Sequence, residues 1–145
     1  MGLEDLLGDQ LLSKTGNVQT SDITINKIIC IYFSAHWCPP CRGFTPILSE
    51  FYNQCKANEK ELEIVFASKD NTQQQFDDYY GEMAWLCLPF GSPKVQELSE
   101  KYAVSGIPSL IVLNSKGNVV VKNGRQDVAG NGAKAFDDWI EKDNK

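Results

Sequence analysis

The stretch "KIICIYFS", Lys27 to Ser34, limits the fold more than any other. Its apolar side chains occupy both alternating faces: Ile28, Cys30 and Tyr32 point one way, Ile29, Ile31 and Phe33 the other. A strand apolar on both faces has no side to offer water, so it belongs inside a sheet covered by helices. "LEIVFAS", residues 62–68, has the same character. Between the two, Phe44, Ile47, Leu48, Phe51, Tyr52 and Cys55 recur at the spacing of a helix with one buried stripe. Pro39 stands where a first-turn proline is welcome, and Pro46, inside the pattern, predicts a kink.

Around this strand–helix–strand unit the signals are shorter. Leu3, Leu6 and Leu7 suggest an amphipathic turn, and "LLSKTGNVQT" predicts two strands around Thr15–Gly16–Asn17. "TQQQFDDYYGEM" predicts a helix stopped at Gly81. Ser92 as cap and Pro93 at the first helical position open another, with Val95, Leu98 and Tyr102 on one face. "SLIVLNSKGNVVVK" reads as a hairpin around residues 115–118, and "GAKAFDDWIEK" as a closing helix. The order ββ, β, α, β, α, α, β, β, α predicts an α/β fold: a central mixed β-sheet flanked by helices, with an extra N-terminal β-hairpin. The 145 residues suit one domain spanning positions 1–145.

Composition narrows the function classes. A hydrophobic content of 42% supplies a core without a disulfide scaffold. The net charge of −5 argues against nucleic acid and anionic membrane as partners, because both demand basic patches. No apolar run approaches the roughly 20 residues of a membrane span. The opening "MGLEDLLGDQ" has neither the basic nor the apolar region of a secretory signal. Five cysteines, an odd number, then point to a reducing compartment: the cytoplasm, with the nucleus as the other candidate.

Against that background "YFSAHWCPPCRGFTP" poses the chemical question. Cys38 falls at the junction of the strand and the helix that Pro39 opens. A helix N-terminus carries roughly half a positive charge and unpaired N–H groups, both of which favour a thiolate. Cys41 lies one turn on, about 5–6 Å away between Cβ atoms, so dithiol and disulfide interconvert with little backbone movement. Pro39 and Pro40 bring no N–H, which stiffens the turn and removes two donors from Cys38. Cys38 is expected to attack, and Cys41, deeper under the turn, to resolve. A zinc site would need about four ligands, and the chain offers one CxxC and one histidine, His36. A structural disulfide fits poorly with a reducing compartment. The residues favour a reactive dithiol, with no metal or organic cofactor required. Cys30 and Cys55 read as small core residues and Cys87 as core or edge. Helix geometry puts Cys41 and Cys55 about 21 Å apart, too far to pair. Trp37 reads as a flat apolar rim that excludes water and docks a partner chain.

"WCPPC" between a two-faced strand and a helix, followed by "GIPSLIVL", resembles the thioredoxin superfamily. "FDDYYGEMAWLCLPF", "KYAVSGIPSLIVLNSKG" and "NGR" make it similar to the tryparedoxin and nucleoredoxin branch, over roughly Leu11 to Ile140. The resemblance implies a thioredoxin-like fold and thiol–disulfide exchange, with Cys38 as nucleophile, Cys41 as resolving residue and a redox-active Cys38–Cys41 disulfide. It implies a cis Ile107–Pro108 bond beside the dithiol, where the Ile107 backbone pairs with an extended substrate chain. Trp37, Pro39, Pro40, Ile107 and Pro108 then form the substrate-binding rim. One departure stands out: thioredoxins carry a buried Asp six residues before the first cysteine, and here that position is Tyr32. Asp70, water or another group must replace it. The expected partners are disulfide-containing proteins, peroxiredoxins among them, and an upstream reductase or low-molecular-weight thiol, acting on a monomer. The rival reading is a redox-gated protein-binding module with little turnover.

Overall fold

In the computed structural model, residues 3–25 and 27–144 are described, and Met1 and Gly2 of the opening segment lie outside them. The two-faced strands take the middle of the sheet, as their composition requires. They are β3 (Ile28–Ser34) and β4 (Leu62–Ser68), paired in parallel from Ile28 opposite Leu62 to Ser34 opposite Ser68. Every residue of β3 is buried. β5 (Leu86–Cys87) continues the sheet in parallel beyond β4, and β6 (Ser109–Leu113) runs antiparallel on the other side of β3. The hairpin of β1 (Gln10–Ser13) and β2 (Gly16–Gln19) closes one edge and β7 (Val119–Val121) the other. The seven strands are ordered β2-β1-β5-β4-β3-β6-β7.

Helices cover both faces. α3 (Pro39–Ala57), α4 (Gln73–Tyr80), α6 (Gly124–Asn131) and α7 (Lys134–Asp143) bury Phe44, Leu48, Phe51, Tyr79, Val128 and Trp139 against Cys30, Tyr32, Ile64 and Phe66. On the opposite face α1 (Leu3–Leu7) and α5 (Pro93–Lys101) bring Leu3, Leu7 and Leu98 against Ile29, Ile31, Phe33 and Val65. α2 (Thr20–Thr24) follows the hairpin. Each large apolar side chain buried in this way contributes about 1.5–3 kcal/mol, so the two faces of β3 account for much of the fold's stability.

Several expectations change in detail. The hairpin tip is earlier than predicted, because Gly16 already opens β2 with a φ of 124° that suits glycine. α3 continues through Pro46 as one helix, which is compatible with the kink expected there. Ile47, expected in its buried stripe, is 45% exposed. At about 100° per residue Phe44, Leu48, Phe51 and Cys55 cluster within a narrow arc, and Ile47 falls roughly 60° from Phe44, at its edge. α2, β5 and α6 were not anticipated. Ser92 does cap α5, accepting from the Lys94 N–H, and Thr72 caps α4, accepting from the Gln75 N–H.

Candidate active site

The end of β3 and the start of α3 are joined by Ala35, His36 and Trp37, and this short loop delivers Cys38 to the N-cap of α3, with Pro39 at the first helical position. The loop is pinned by the equivalent end of β4. Asp70 accepts from the His36 N–H at 2.7 Å and from the Ser68 hydroxyl at 2.7 Å. The Trp37 indole N–H donates to the Lys69 carbonyl at 3.1 Å, and the Lys69 N–H donates to Ser34 O at 2.9 Å. The two parallel strands thus clamp the turn that carries the thiols. The His36 ring stacks on Tyr79, with centroids 5.3 Å apart, and its Nε2 lies 3.8 Å from Glu82.

The two cysteines meet different surroundings. Cys38 is 6% exposed, and its thiol faces the Ile107 carbonyl at 4.0 Å. Cys41, one turn in, is fully buried. Ala35, Cys38 and Cys41 form a small apolar cluster with Ile107 packed on it. Burial, and then the hydrogen bond with Cys38, push the Cys41 thiol up to about 11. The Ser34 hydroxyl and the Ala35 N–H pull it back in part. All five cysteines are free thiols. Cys30, Cys55 and Cys87 lie in the core, and burial pushes Cys55 up to about 11 and Cys87 up to about 12.

The residues expected at the rim lie at different depths, and of them only Trp37 and Ile107 line one groove. Trp37 is 49% exposed and Pro39 and Pro40 are exposed beside it. Trp37 and Ile107 line one open groove of about 350 Å³ with Lys69, Val104, Ser105 and Gly106. The Ile107–Pro108 bond is cis. Pro108 itself is buried. It lines a separate cavity of about 470 Å³ with Lys122 and Arg125, and Arg125 Nη1 donates to its carbonyl at 3.4 Å. Among the described residues no three His, Cys, Asp or Glu side chains gather as a metal site.

Asp70, one of the candidates to replace the missing buried Asp, accepts from the His36 N–H and from the Ser68 hydroxyl, and so holds the loop. The groups that do surround Cys41 are hydroxyls that sequence reasoning missed. Thr45 Oγ1 donates to Cys41 O at 3.0 Å and shares a hydrogen bond of 2.7 Å with Tyr32. Tyr79 links Thr45 and Ser34. Two signals pointed there: Thr45 lies four residues after Cys41, hence on its face of the helix, and Ser34 is a polar residue at the end of a wholly buried strand.

Comparison with known proteins agrees with this fold. A family model described as thioredoxin-like matches residues 26–119. Probable nucleoredoxin 1 of Arabidopsis thaliana is 47% identical over 92% of the chain, which spans 24% of that protein's length. Tryparedoxin from Trypanosoma brucei superposes with a TM-score of 0.88 at 40% identity, covering 96% of this chain and 99% of that one. A solved tryparedoxin II in complex with glutathionylspermidine gives a TM-score of 0.85 at 31% identity, covering 91% and 94%.

Proposed function

This chain belongs to the thioredoxin-like family of thiol–disulfide oxidoreductases, and we propose that it reduces protein disulfides through Cys38 and Cys41. The observation that carries the proposal is the asymmetry of the pair. Cys38 keeps 6% exposure beside Trp37 and Ile107, two residues that line an open groove, whereas Cys41 is fully enclosed one turn deeper and held as a thiol.

The Cys38 thiolate attacks one sulfur of the partner's disulfide. That bond breaks, a mixed disulfide forms, and the first partner thiolate leaves and takes up a proton. Cys41 then gives up its proton and attacks Cys38 Sγ. The Cys38–Cys41 disulfide forms as the second partner thiol departs protonated. Two electrons and two protons have passed from the dithiol to the partner. Trp37, Pro39 and Pro40 offer the partner an apolar rim, and the Ile107 backbone beside Pro108 offers an extended chain a pairing edge. An upstream reductase or a low-molecular-weight thiol restores the dithiol. The glutathionylspermidine bound by one structural neighbour is a thiol of the latter kind. Residues 1–145 act as one monomeric thioredoxin-like unit in the cytoplasm or nucleus, on disulfide-containing proteins such as peroxiredoxins.

Turnover on insulin or on a peroxiredoxin disulfide, with dithiothreitol as donor, tests the proposal. Steady reduction that vanishes in Cys38→Ser supports it. Tight, redox-dependent capture of the partner with negligible turnover would replace it with a redox-gated binding module.

A further inference from the structure

The groove that Trp37 and Ile107 line carries one charged side chain, Lys69. Lys69 follows β4 directly, and its backbone is held by the strand and loop that deliver the thiols. Its N–H donates to Ser34 O at 2.9 Å, and its carbonyl accepts from the Trp37 indole at 3.1 Å. The side chain is half-buried, with its ammonium 6.0 Å from the centre of the buried Phe33 ring. That is the outer limit of a cation–π contact, so the ring holds it weakly. Among the described residues no carboxylate forms an ion pair with this ammonium. The adjacent Asp70 is committed to the His36 N–H and the Ser68 hydroxyl.

The surroundings of the dithiol are cationic in a chain that is acidic as a whole. The net charge is −5, yet among the described residues no Asp or Glu lines this groove or the separate cavity at Pro108, which holds Lys122 and Arg125. The other walls of the groove are apolar side chains, Trp37, Val104 and Ile107, with Ser105 and Gly106 exposed between them. Gly106 leaves open space where a Cβ would stand. The Ile107 carbonyl faces the Cys38 thiol at 4.0 Å, and Val104 lies three residues back, at most about 10 Å of chain. A partner side chain that reaches the groove therefore belongs to a residue within about three of the cysteine under attack. At about 350 Å³ the groove is at the small end of binding sites, room for one or two side chains of a chain laid across it. Opposite charge brought to a half-buried, unpaired ammonium gives selectivity at the moment of contact.

We propose that Lys69 is a specificity-determining residue, and that its groove docks the acidic flank of a protein disulfide: an Asp or Glu within about three residues of the attacked cysteine, its carboxylate paired with the Lys69 ammonium. This rests on the reductase reading above and names the class of partner that it acts on. The contact selects the partner and takes no part in the exchange of thiols, so no bond is made or broken at Lys69. The negative charge of the whole chain gives an acidic partner no long-range attraction. The preference therefore arises at the groove itself, and added salt weakens it.

Three peptides, each closed by one disulfide and carrying Glu, Gln or Lys two residues outside each cysteine, test this in single turnovers with the reduced protein. The Glu peptide should react about tenfold faster than the Lys peptide, with Gln between, since one partly covered ion pair is worth up to about fivefold and a like-charge pair loses a similar factor. Lys69→Met should flatten this order and Lys69→Glu should reverse it. Lys116→Glu makes the same change of charge in the turn between β6 and β7, beyond the end of β6 remote from Pro108, and should keep the order. No preference in the unsubstituted protein, a preference that survives Lys69→Glu, or an equal change in Lys116→Glu overturns the proposal. Oxidised glutathione is the control for a small anionic partner. A loss in Lys69→Glu as large for it as for the Glu peptide would assign the groove to a small thiol and overturn the protein reading. If no peptide is reduced, the reductase reading falls. Titration with the same peptides bearing serine for cysteine, followed at the Trp37 indole N–H signal, then still decides whether the groove prefers the acidic flank.

Discussion

Alkylation of the reduced protein should discriminate sharply between the two active-site thiols. Cys41 is held up to about 11 by burial and by Cys38. At about pH 7.4 its thiolate fraction is then roughly 0.03%, against about 7% for a free cysteine near 8.5, a deficit of roughly 300-fold. A more basic thiolate is also a better nucleophile. A Brønsted coefficient of about 0.4–0.5 over the difference returns roughly tenfold of that. The net expectation is labelling at least roughly 20-fold slower than a free cysteine, and slower still because Cys41 is fully buried. Its rate should climb tenfold per pH unit until pH approaches 11. Cys55, held up to about 11, and Cys87, up to about 12, are protected by the same burial. The assay is brief iodoacetamide treatment of reduced protein, then peptide mass mapping at several pH values. Modification should appear first at Cys38. Labelling of Cys41 as fast as Cys38, or at the rate of a free thiol, would refute the reasoning, because the two environments would then not differ as the geometry requires.

Two substitutions probe the supports of the site. Gly124→Ala should destabilise the fold: a Cβ there lies 2.8 Å from Val112 Cγ2 and 3.0 Å from Leu110 O. Such overpacking costs about 1–3 kcal/mol, against a helix-propensity gain of at most about 1 kcal/mol, and a urea melt should show a lower midpoint. Trp37→Ala should reduce kcat/KM for a protein disulfide by about tenfold, as for an exposed aromatic anchor of roughly 1–2 kcal/mol, with a smaller loss toward a small-molecule disulfide. Equal losses on both substrates would mean that Trp37 serves the loop through its bond to Lys69 and not the partner.

The parts of the fold legible in the sequence were those whose pattern needs no neighbour. "KIICIYFS" declares a covered strand by itself, and Ser92 and Pro93 declare a helix start by themselves. β5 was invisible because two residues carry no period. α6 was invisible because it buries only Gly124 and Val128 and so shows no stripe. At the site, Cys38 and Cys41 follow from their spacing at a strand–helix junction. The hydroxyl cluster does not, because Tyr32 and Tyr79 read as apolar aromatics until α3 and α4 pack against β3 and set their oxygens on Thr45 and Ser34. The cis Ile107–Pro108 bond was reachable only through family resemblance, since an X–Pro pair alone carries no such signal.

The central claim, that Cys38 attacks and Cys41 resolves, is tested most directly by mixing reduced Cys41→Ser protein with a purified disulfide-bonded partner and mapping the product by mass spectrometry. The expected product is a stable one-to-one mixed disulfide through Cys38, while the unsubstituted protein under the same conditions ends as the Cys38–Cys41 disulfide with its partner reduced. A stable adduct of the Cys38→Ser protein through Cys41, or none with Cys41→Ser, would contradict the account.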